Sequence, residues 1–322
     1  MKTTFRLLTA LFFAFALPAA AQSYPTKPIK WIVPYTPGGI TDSVTRLVAQ
    51  KLQEALGQPV VIENKPGANS MLGADIVAKA QPDGYMFVTV IAAHAANATL
   101  YAGKLPYDTT RSFAPVSLVA IAPLIMTVNN NFPAKDVKEL IAYAKANPDK
   151  IAFGSSGVGA AAHLTTELLK QTADIRMVHV PYKGTAPALQ GLLAGDIQML
   201  TDVPSSLMPQ VRSGKIRALA MYSSKRVTGA MEVPTIAEAG GPAIEGSTWV
   251  LFLAPAGTPR EIVQRISAET AKIVNSPEMK AKFEQLGIEA VGNTPEQAAT
   301  FLNDEIVKWA KVINTAGVKA EQ

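Results

Sequence analysis

Short runs rich in valine and isoleucine alternate with amphipathic stretches of helical length along most of the chain. Strands are predicted near residues 30–34, 60–63, 85–91, 117–121, 124–128, 151–154, 177–181, 199–202, 218–222 and 250–254. Helices are predicted near residues 42–56, 70–80, 137–147, 163–172, 187–194, 207–213, 260–275, 277–286 and 295–315. Strands that alternate with helices of about 10–15 residues are typical of parallel sheets with crossover helices. The alternation therefore predicts an α/β protein.

The predicted helix at residues 42–56 shows how helix ends are read from the sequence. Its apolar side chains, at positions 44, 47, 48, 52 and 56, fall on one face at spacings of three and four. Thr41 is predicted to cap the N-terminus, and Gly57, followed by Pro59, is predicted to end the helix.

The first 21 residues have the features of a secretory signal peptide. Lys2 and Arg6 precede an apolar segment at residues 7–17, and Ala19–Ala21 supply small residues for cleavage. The chain has no cysteine, which excludes disulfides, a thiol nucleophile and a lipidated N-terminal cysteine. We therefore expect cleavage after Ala21 and a soluble, non-lipidated periplasmic protein.

Composition excludes several classes of protein. With 48% hydrophobic and 17% charged residues the chain is globular, and its 322 residues suit one large or two ordinary domains. Without Lys2 and Arg6, 28 basic and 25 acidic residues leave a net charge of +3. The basic residues form no run of five or more, so no nucleic-acid partner is expected. No stretch beyond the signal peptide is apolar over the roughly 18 residues that a membrane span needs.

Two places in the chain are predicted to be crossings between domains. Adjacent strand-like runs, VSLVAIAP and LIMTVN, lie around residues 117–128, and the run IRALAMYSS lies around residues 216–224. If these are the crossings, residues 123–221 form one domain, and residues 22–122 plus 222–322 form the other. Discontinuous domains joined by two strands form a hinge around a cleft.

Three segments place a small-residue loop between a strand and a helix start. They are Tyr35–Thr41, Gly154–Gly159 and Ala92–Asn97. In such a loop, backbone N–H groups and the positive end of the helix dipole converge on one point beyond the strand, where open α/β sheets bind ligands. Taken alone, each loop is explained equally well as a turn. Asp42 is expected to complement the dipole of its own helix.

Catalytic motifs find little support in the sequence. The segment Gly157–Ala162 fits the dinucleotide-binding pattern, but a single match is weak and no acidic partner follows. Val158 stands where a nucleophile elbow needs its last glycine. Of the three histidines, His163 and His179 are interpreted as structural, and no metal motif is present. Catalytic residues, metal ligands and cofactors are therefore not predicted.

Asp202 has two interpretations. It ends a predicted strand and precedes the sequence Pro204-Ser205-Ser206. It either forms an Asx turn or cap, or serves as an acceptor in the cleft for a ligand ammonium, hydroxyl or protonated carboxyl group.

Many collinear segments of the mature chain resemble the solute receptors of tripartite tricarboxylate transporters, also called Bug-type receptors. The matching segments are YPTKPIKWIVPYTPGGITD, LGQPVVIENKPGANSMLGADIVAKAQPDGY, LYAGKLPYD, FAPVSLVA, FGSSGVGAAAHLTTELL, HVPYKGTAPALQGLLAGDIQML, GKIRALAMYSSKR, VPTIAEAG and APAGTP. The resemblance implies a two-domain periplasmic-binding-protein fold of type II, a Venus flytrap. It also implies a monomer that captures a carboxylate without a cofactor and delivers it to the membrane permease subunits of a tripartite transporter. A periplasmic ligand sensor, or an enzyme acting on an organic acid, is the alternative on the same scaffold.

The resemblance also implies which residues bind the ligand. The family holds carboxylates with loops matching Pro37–Gly39, partly through ordered water, and with the helix start after Gly154–Ser156. The expected ligand-binding residues are Tyr35, Pro37, Gly38, Gly39, Thr41, His94, Ser155, Ser156, Gly157, Ala161, Ala162 and Asp202. Where the family commonly has Gly-Thr-Ser, this chain has Gly159-Ala160-Ala161 and so lacks two hydroxyls. We therefore expect a ligand with an apolar body, an aromatic or aliphatic mono- or dicarboxylate, rather than citrate or an amino acid.

Overall fold

A computed structural model describes residues 24–320, so the predicted signal peptide lies outside the described residues. The strands are β1 (Ile29–Val33), β2 (Val60–Asn64), β3 (Met86–Val90), β4 (Phe113–Pro123), β5 (Ile125–Asn129), β6 (Ala152–Ser155), β7 (Val178–Pro181), β8 (Met199–Asp202), β9 (Ile216–Met221), β10 (Ser247–Pro255) and β11 (Glu289–Ala290). The helices are α1 (Ile40–Leu56), α2 (Met71–Ala78), α3 (Ala92–Leu100), α4 (Val137–Ala146), α5 (Ala161–Ala173), α6 (Thr185–Ala194), α7 (Pro204–Arg212), α8 (Arg260–Val274), α9 (Pro277–Gln285) and α10 (Pro295–Ala316). The predicted α/β class is confirmed.

The strands form two mixed sheets. The first has the order β11-β4-β10-β3-β1-β2, and the second has the order β7-β6-β8-β5-β9. Strand β1 is parallel to β2 and β3, and β6 is parallel to β7 and β8. Strand β10 is antiparallel to β3 and β4, and β5 is antiparallel to β8 and β9. The prediction of parallel sheets is wrong for these strands. Strand β4 passes directly into β5 of the other sheet, and residues 222–246 join β9 to β10 without an α-helix, so neither connection is the strand–helix–strand crossover that makes neighbouring strands parallel.

Three chain passages meet where the two sheets join. The N–H of Leu124, between β4 and β5, donates to the carbonyl of Gly246 at 3.0 Å. Tyr222, which follows β9, donates its N–H to Leu124 at 2.8 Å and accepts the N–H of Gly246 at 3.0 Å. The predicted domain limits, after residues 122 and 221, fall beside these residues and remain a prediction.

Strand β1 is the buried support of the first candidate loop. Ile29, Trp31, Ile32 and Val33 are at most 1% exposed, because neighbouring strands and helices cover both faces of the sheet. The indole of Trp31 stacks on Phe87 and donates to the hydroxyl of Thr89 at 2.8 Å. Burying a large apolar side chain contributes about 1.5–3 kcal/mol, so the end of β1 is held firmly.

The segment 92–97, predicted to be a loop, is the first part of α3. Four of its first five residues are alanine, which has the highest helix propensity and lets α3 approach β10 and α10 closely. The prediction failed because the segment has no capping residue and no polar face. All of its residues are buried, so neither of the usual helix signals is present.

Candidate functional site

The β1–α1 loop, residues 34–39, ends at Gly39, which is the N-cap of α1. The prediction that Thr41 is the cap is wrong: the extended backbone at Gly39 starts the helix two residues earlier, and Thr41 is buried in the first turn. No side chain caps this helix start. A Cβ built on Gly38 or Gly39 would have nothing within 4 Å, so the loop backbone adjoins open space.

Asp42 organises this loop from inside α1. Its Oδ2 accepts the N–H of Gly38 at 3.0 Å, and its Oδ1 accepts the amide of Asn64 at 2.9 Å. The guanidinium of Arg46 donates to both oxygens at 3.0 Å. Burial opposes ionisation, but these bonds outweigh it and lower the pKa of the Asp42 carboxyl. The carboxylate therefore holds the loop that precedes its own helix and is neutralised by Arg46.

The β6–α5 loop, residues 156–160, presents a second uncapped helix start. Ala160 is the N-cap of α5 and has no side-chain hydrogen bond. The loop turns through Gly157 at φ +141° and Gly159 at φ +79°, in the region that favours glycine. Within the described residues, the N–H groups of Ala161 and Ala162 have no partner, as expected for the first turn of a helix without a cap.

The two serines at this loop have different surroundings. Ser155 is fully buried, and its Oγ lies 2.7 Å from Nε2 of His179 and 3.2 Å from the N–H of Gly157. Ser156 is half-buried, and its hydroxyl makes no hydrogen bond to another described residue. Of the two predicted hydroxyls, Ser155 shapes the loop and Ser156 is the one without a protein partner in the described chain.

The β6–α5 loop contacts α3, the helix that follows β3 of the first sheet. A Cβ built on Gly159 would lie 2.4 Å from Cδ1 of Leu100 and 3.9 Å from Cβ of Ala96. It would also lie 3.6 Å from Nδ2 of Asn69, which is joined to the buried Asn97 by hydrogen bonds of 2.7 and 2.8 Å. The structure thus places apolar atoms of α3 directly beside the second loop.

His94 lies on α3 and is enclosed by aromatic rings. Its imidazole stacks on Tyr107 and meets Phe113 edge-on, and its Nε2 lies 3.0 Å from the carbonyl of Thr109. Since a carbonyl only accepts, Nε2 carries the proton and Nδ1 is an acceptor. Burial lowers the pKa of His94 to about 4. His94, predicted to contact the ligand, is therefore a neutral imidazole that is fully buried inside the fold.

Asp202 lies at the end of β8 beside the start of α6. Its Oδ1 accepts the N–H of Val203, and its Oδ2 accepts the hydroxyl of Thr185, both at 2.8 Å. Burial raises the pKa of the Asp202 carboxyl, and the two hydrogen bonds offset this only in part. The turn-forming bond to Val203 is present, and the carboxyl is also held by the first residue of a helix whose N-cap, Gly184, has no side-chain cap.

The predicted residues fall into four places. Tyr35, Pro37, Gly38, Gly39 and Thr41 belong to the β1–α1 loop and the first turn of α1; Ser155, Ser156, Gly157, Ala161 and Ala162 surround the β6–α5 loop; His94 lies on α3; and Asp202 lies at Thr185. Sequence reasoning did not single out Asn69 or Thr185, and it included Asn97 only as the last residue of the segment 92–97. Asn69 stands between Gly67 and a helix, and this position in a tight loop was the available signal.

The described chain also contains features that do not suit an anion. A surface groove of about 580 Å³ lies along the start of α10, lined by Val291, Asn293, Glu296, Gln297, Thr300, Phe301 and Asp304. It is away from both loops and contains two acidic residues and no basic one.

Across residues 24–320, no three His, Asp or Glu side chains are placed to hold a metal ion. No helix in the same range is long and apolar enough to cross a bilayer.

Comparison with known proteins identifies the family. The sequence model of the tripartite tricarboxylate transporter family receptor matches residues 44–318. The chain belongs to this receptor family. Protein BugT of Bordetella pertussis is 36% identical over 305 residues, covering 94% of each chain.

Two solved receptors have the same fold as this chain. The R. palustris protein Rpa4515, solved with adipate, is 36% identical with a TM-score of 0.85, covering 92% of this chain and 99% of its own. MatC from Rhodopseudomonas palustris, solved with malate, is 31% identical with a TM-score of 0.80, covering 90% and 100%. The predicted type II periplasmic-binding-protein fold is confirmed, and the chain is a solute-binding receptor rather than an enzyme.

Proposed function

We propose that this receptor binds an organic carboxylate between the β1–α1 loop and the β6–α5 loop. The observation that carries the proposal is the pair of helix starts, at Gly39 and Ala160, that no side chain caps. Uncapped N–H groups at the positive end of a helix dipole are a ready site for an anion. Helices α2, α3, α6, α7 and α8 also lack a side-chain cap, whereas Asp136, Ser276 and Thr294 cap α4, α9 and α10. The starts of α1 and α5 are preferred because open space adjoins Gly38 and Gly39, and because both starts follow glycine-containing loops at strand ends.

Neutral donors distinguish a carboxylate site of this kind from a phosphate site. Neither loop contains lysine or arginine. Arg46 and Lys170, which lie on the helices that follow the two loops, are paired with Asp42 and with Glu167 at 2.8 Å. Backbone N–H groups and Ser156 then supply the hydrogen bonds, while closure of the two domains removes the acid from water. Of the twelve residues predicted from the sequence, those of the two loops and helix starts and Asp202 are proposed to line the ligand site, whereas the fully buried His94 and Ser155 are proposed to support it from inside the fold.

The ligand is proposed to have an apolar body. Leu100 and Ala96 adjoin the β6–α5 loop, and Ala160 and Ala161 offer methyl groups in place of hydroxyls. The R. palustris relatives solved with adipate and malate bind aliphatic dicarboxylates, so an aliphatic mono- or dicarboxylate is favoured together with aromatic acids. The domain limits proposed for the closing motion are those after residues 122 and 221.

Delivery to a transporter completes the proposal. The receptor is exported with cleavage after Ala21, acts as a monomer in the periplasm, and passes its acid to the membrane subunits of a tripartite transporter. N-terminal sequencing of exported protein then reads QSYPTKP, and light scattering at micromolar concentration gives one chain.

Calorimetric titration of the purified receptor tests the ligand class. The panel contains adipate, malate, benzoate, citrate and glutamate, each at pH 7. Tight binding of adipate or benzoate, with weak binding of citrate and glutamate, is the expected result. Tight binding of citrate or glutamate alone contradicts the apolar-bodied ligand, and no binding of any acid contradicts the carboxylate itself.

A further inference from the structure

A buried histidine, His163, and a half-buried one, His179, are stacked beneath the β6–α5 loop. The rings of His163, on α5, and His179, on β7, lie 3.7 Å apart between centroids at an angle of 10°. The ring of Phe153, on β6, lies beside the pair, with its centroid 4.9 Å from that of His179 and 6.2 Å from that of His163. The stack joins the strand before the loop, the helix after it and the neighbouring strand. Sequence reasoning classed both histidines as structural and gave them no part in the site.

Each ring is bonded to a different end of the loop. Nδ1 of His163 accepts the N–H of Gly159 at 3.1 Å. Nε2 of His179 shares a 2.7 Å hydrogen bond with Oγ of Ser155, which in turn accepts the N–H of Gly157 at 3.2 Å. The glycine at each of these two bonds has a positive φ. Two flexible positions are therefore tied, directly or through Ser155, to one rigid pair of rings.

We infer that the stacked pair of His163 and His179 positions the β6–α5 loop for ligand binding, by bonding Gly159 and Ser155 so that the N–H groups beside them stay free for the ligand. This inference rests on the proposed carboxylate site. Glycine gives the loop more conformations than any other residue, and each hydrogen bond to a ring removes some of them before the ligand arrives. His163 and His179 are positioning residues, since the ligand touches the loop and not the rings.

The positioning role of His163 can be tested in the free protein, without any ligand. A Gly159 N–H bonded to an imidazole nitrogen gives a scalar coupling between Gly159 N and His163 Nδ1, measurable by nuclear magnetic resonance in labelled protein. In the free protein, His163→Leu is expected to shift the amide signals of Ser156 and Val158, whereas His163→Asn leaves them near their wild-type positions. Asparagine places an oxygen where Nδ1 stands, so it keeps the acceptor but not the ring.

Binding of adipate, measured by calorimetry at pH 7, gives the second readout. His163→Leu and His179→Leu are expected to weaken adipate binding at least tenfold. His163→Asn and His179→Gln, which keep an acceptor at Nδ1 and a polar group at Nε2, are expected to stay within threefold of wild type. Circular dichroism melts show that each variant is folded at the temperature of the titration.

The outcomes separate this inference from the proposed function. Equal adipate affinity in the leucine variants and the wild type overturns the inference, and so does equal weakening by leucine and asparagine at position 163. If the wild type binds no adipate, that ligand assignment fails, but the coupling and amide shifts still decide the positioning role. Absence of the coupling, with loop shifts unchanged in His163→Leu, overturns it in that case.

Discussion

Acidification from pH 7 to pH 5 is expected to destabilise this protein strongly, because all three of its histidines are held neutral. Burial lowers the pKa of His94 to about 4, of His163 to about 3 and of His179 to about 4, against an ordinary value of 6.5. For His163, the neighbouring His179 and the ammonium of Lys170 add to the effect. The unfolded chain then binds more protons than the folded chain throughout this range, so stability falls as the pH falls.

The size of the loss follows from the pKa differences. At pH 5 an unfolded histidine is almost fully protonated while each folded one is mostly neutral, a difference of about 2 kcal/mol per residue. Because His179 is partly exposed, solvent screens its charge and its contribution to the loss is smaller. We expect a total loss of about 3–5 kcal/mol. Asp202, whose pKa burial raises, acts in the opposite direction and gains stability as the pH falls.

Urea unfolding followed by tryptophan fluorescence measures this loss. Trp31, Trp249 and Trp309 are at most 1% exposed, so unfolding moves all three into water. Besides Lys170, the charged Glu167 faces the histidine stack, and its Oε1 lies 3.8 Å from Nε2 of His163.

The variant His163→Asn is expected to lose about one third less stability between the two pH values. A free energy of unfolding that is constant or higher at pH 5 would refute the conclusion that the folded protein holds its histidines neutral.

Three further predictions concern single positions. Gly39→Val is expected to lower the free energy of unfolding by no more than about 1 kcal/mol, the cost of valine at an N-cap where φ is −74° and the site for Cβ is open, but to weaken adipate binding at least tenfold by calorimetry. Asp202→Asn is expected to abolish any gain in adipate affinity between pH 7.5 and pH 6, because the raised pKa of the wild-type carboxyl couples binding of a dianion to proton uptake. Gly246→Ala is expected to lower the free energy of unfolding by about 1–3 kcal/mol, because its Cβ would lie 2.1 Å from Cγ2 of Thr165 beside the junction of the sheets.

Each of these predictions has a matched control. Lys225→Ala removes an exposed lysine that pairs with Glu289 and is expected to bind adipate like the wild type. If Gly39→Val binds equally well, the placement of the site is wrong. A pH response that persists in Asp202→Asn assigns the proton to another group. Thr165→Ala combined with Gly246→Ala is expected to recover part of the lost stability, and no recovery contradicts the steric explanation.

The order and type of most elements followed from periodicity, because buried parallel strands such as β1 and amphipathic helices such as α1 carry strong patterns. The same local patterns do not contain strand direction. Strands β5 and β9 look like any other apolar run, and their antiparallel pairing depends on where the chain crosses between sheets. The first part of helix α3 was predicted to be a loop because its residues 92–97 are all buried, so the sequence shows no amphipathic pattern there.

The candidate loops were found from glycine and small-residue spacing, but the roles of their polar side chains were not. Nothing in the sequence separates Ser155 from Ser156, whereas in the fold one bonds His179 and the other does not. The pairing of Asn69 with Asn97 joins residues 28 positions apart, which no local pattern encodes. Side-chain partners of this kind depend on tertiary contacts, so they emerge only when the elements are placed.

A crystal structure of the receptor with the acid that binds most tightly in the calorimetric panel tests the central claim most directly. The account predicts a carboxylate within hydrogen-bonding distance, directly or through one water, of backbone N–H groups in the first turns of both α1 and α5, with no lysine or arginine side chain contacting it. An acid held by cationic side chains, or bound away from the β1–α1 and β6–α5 loops, would contradict the account.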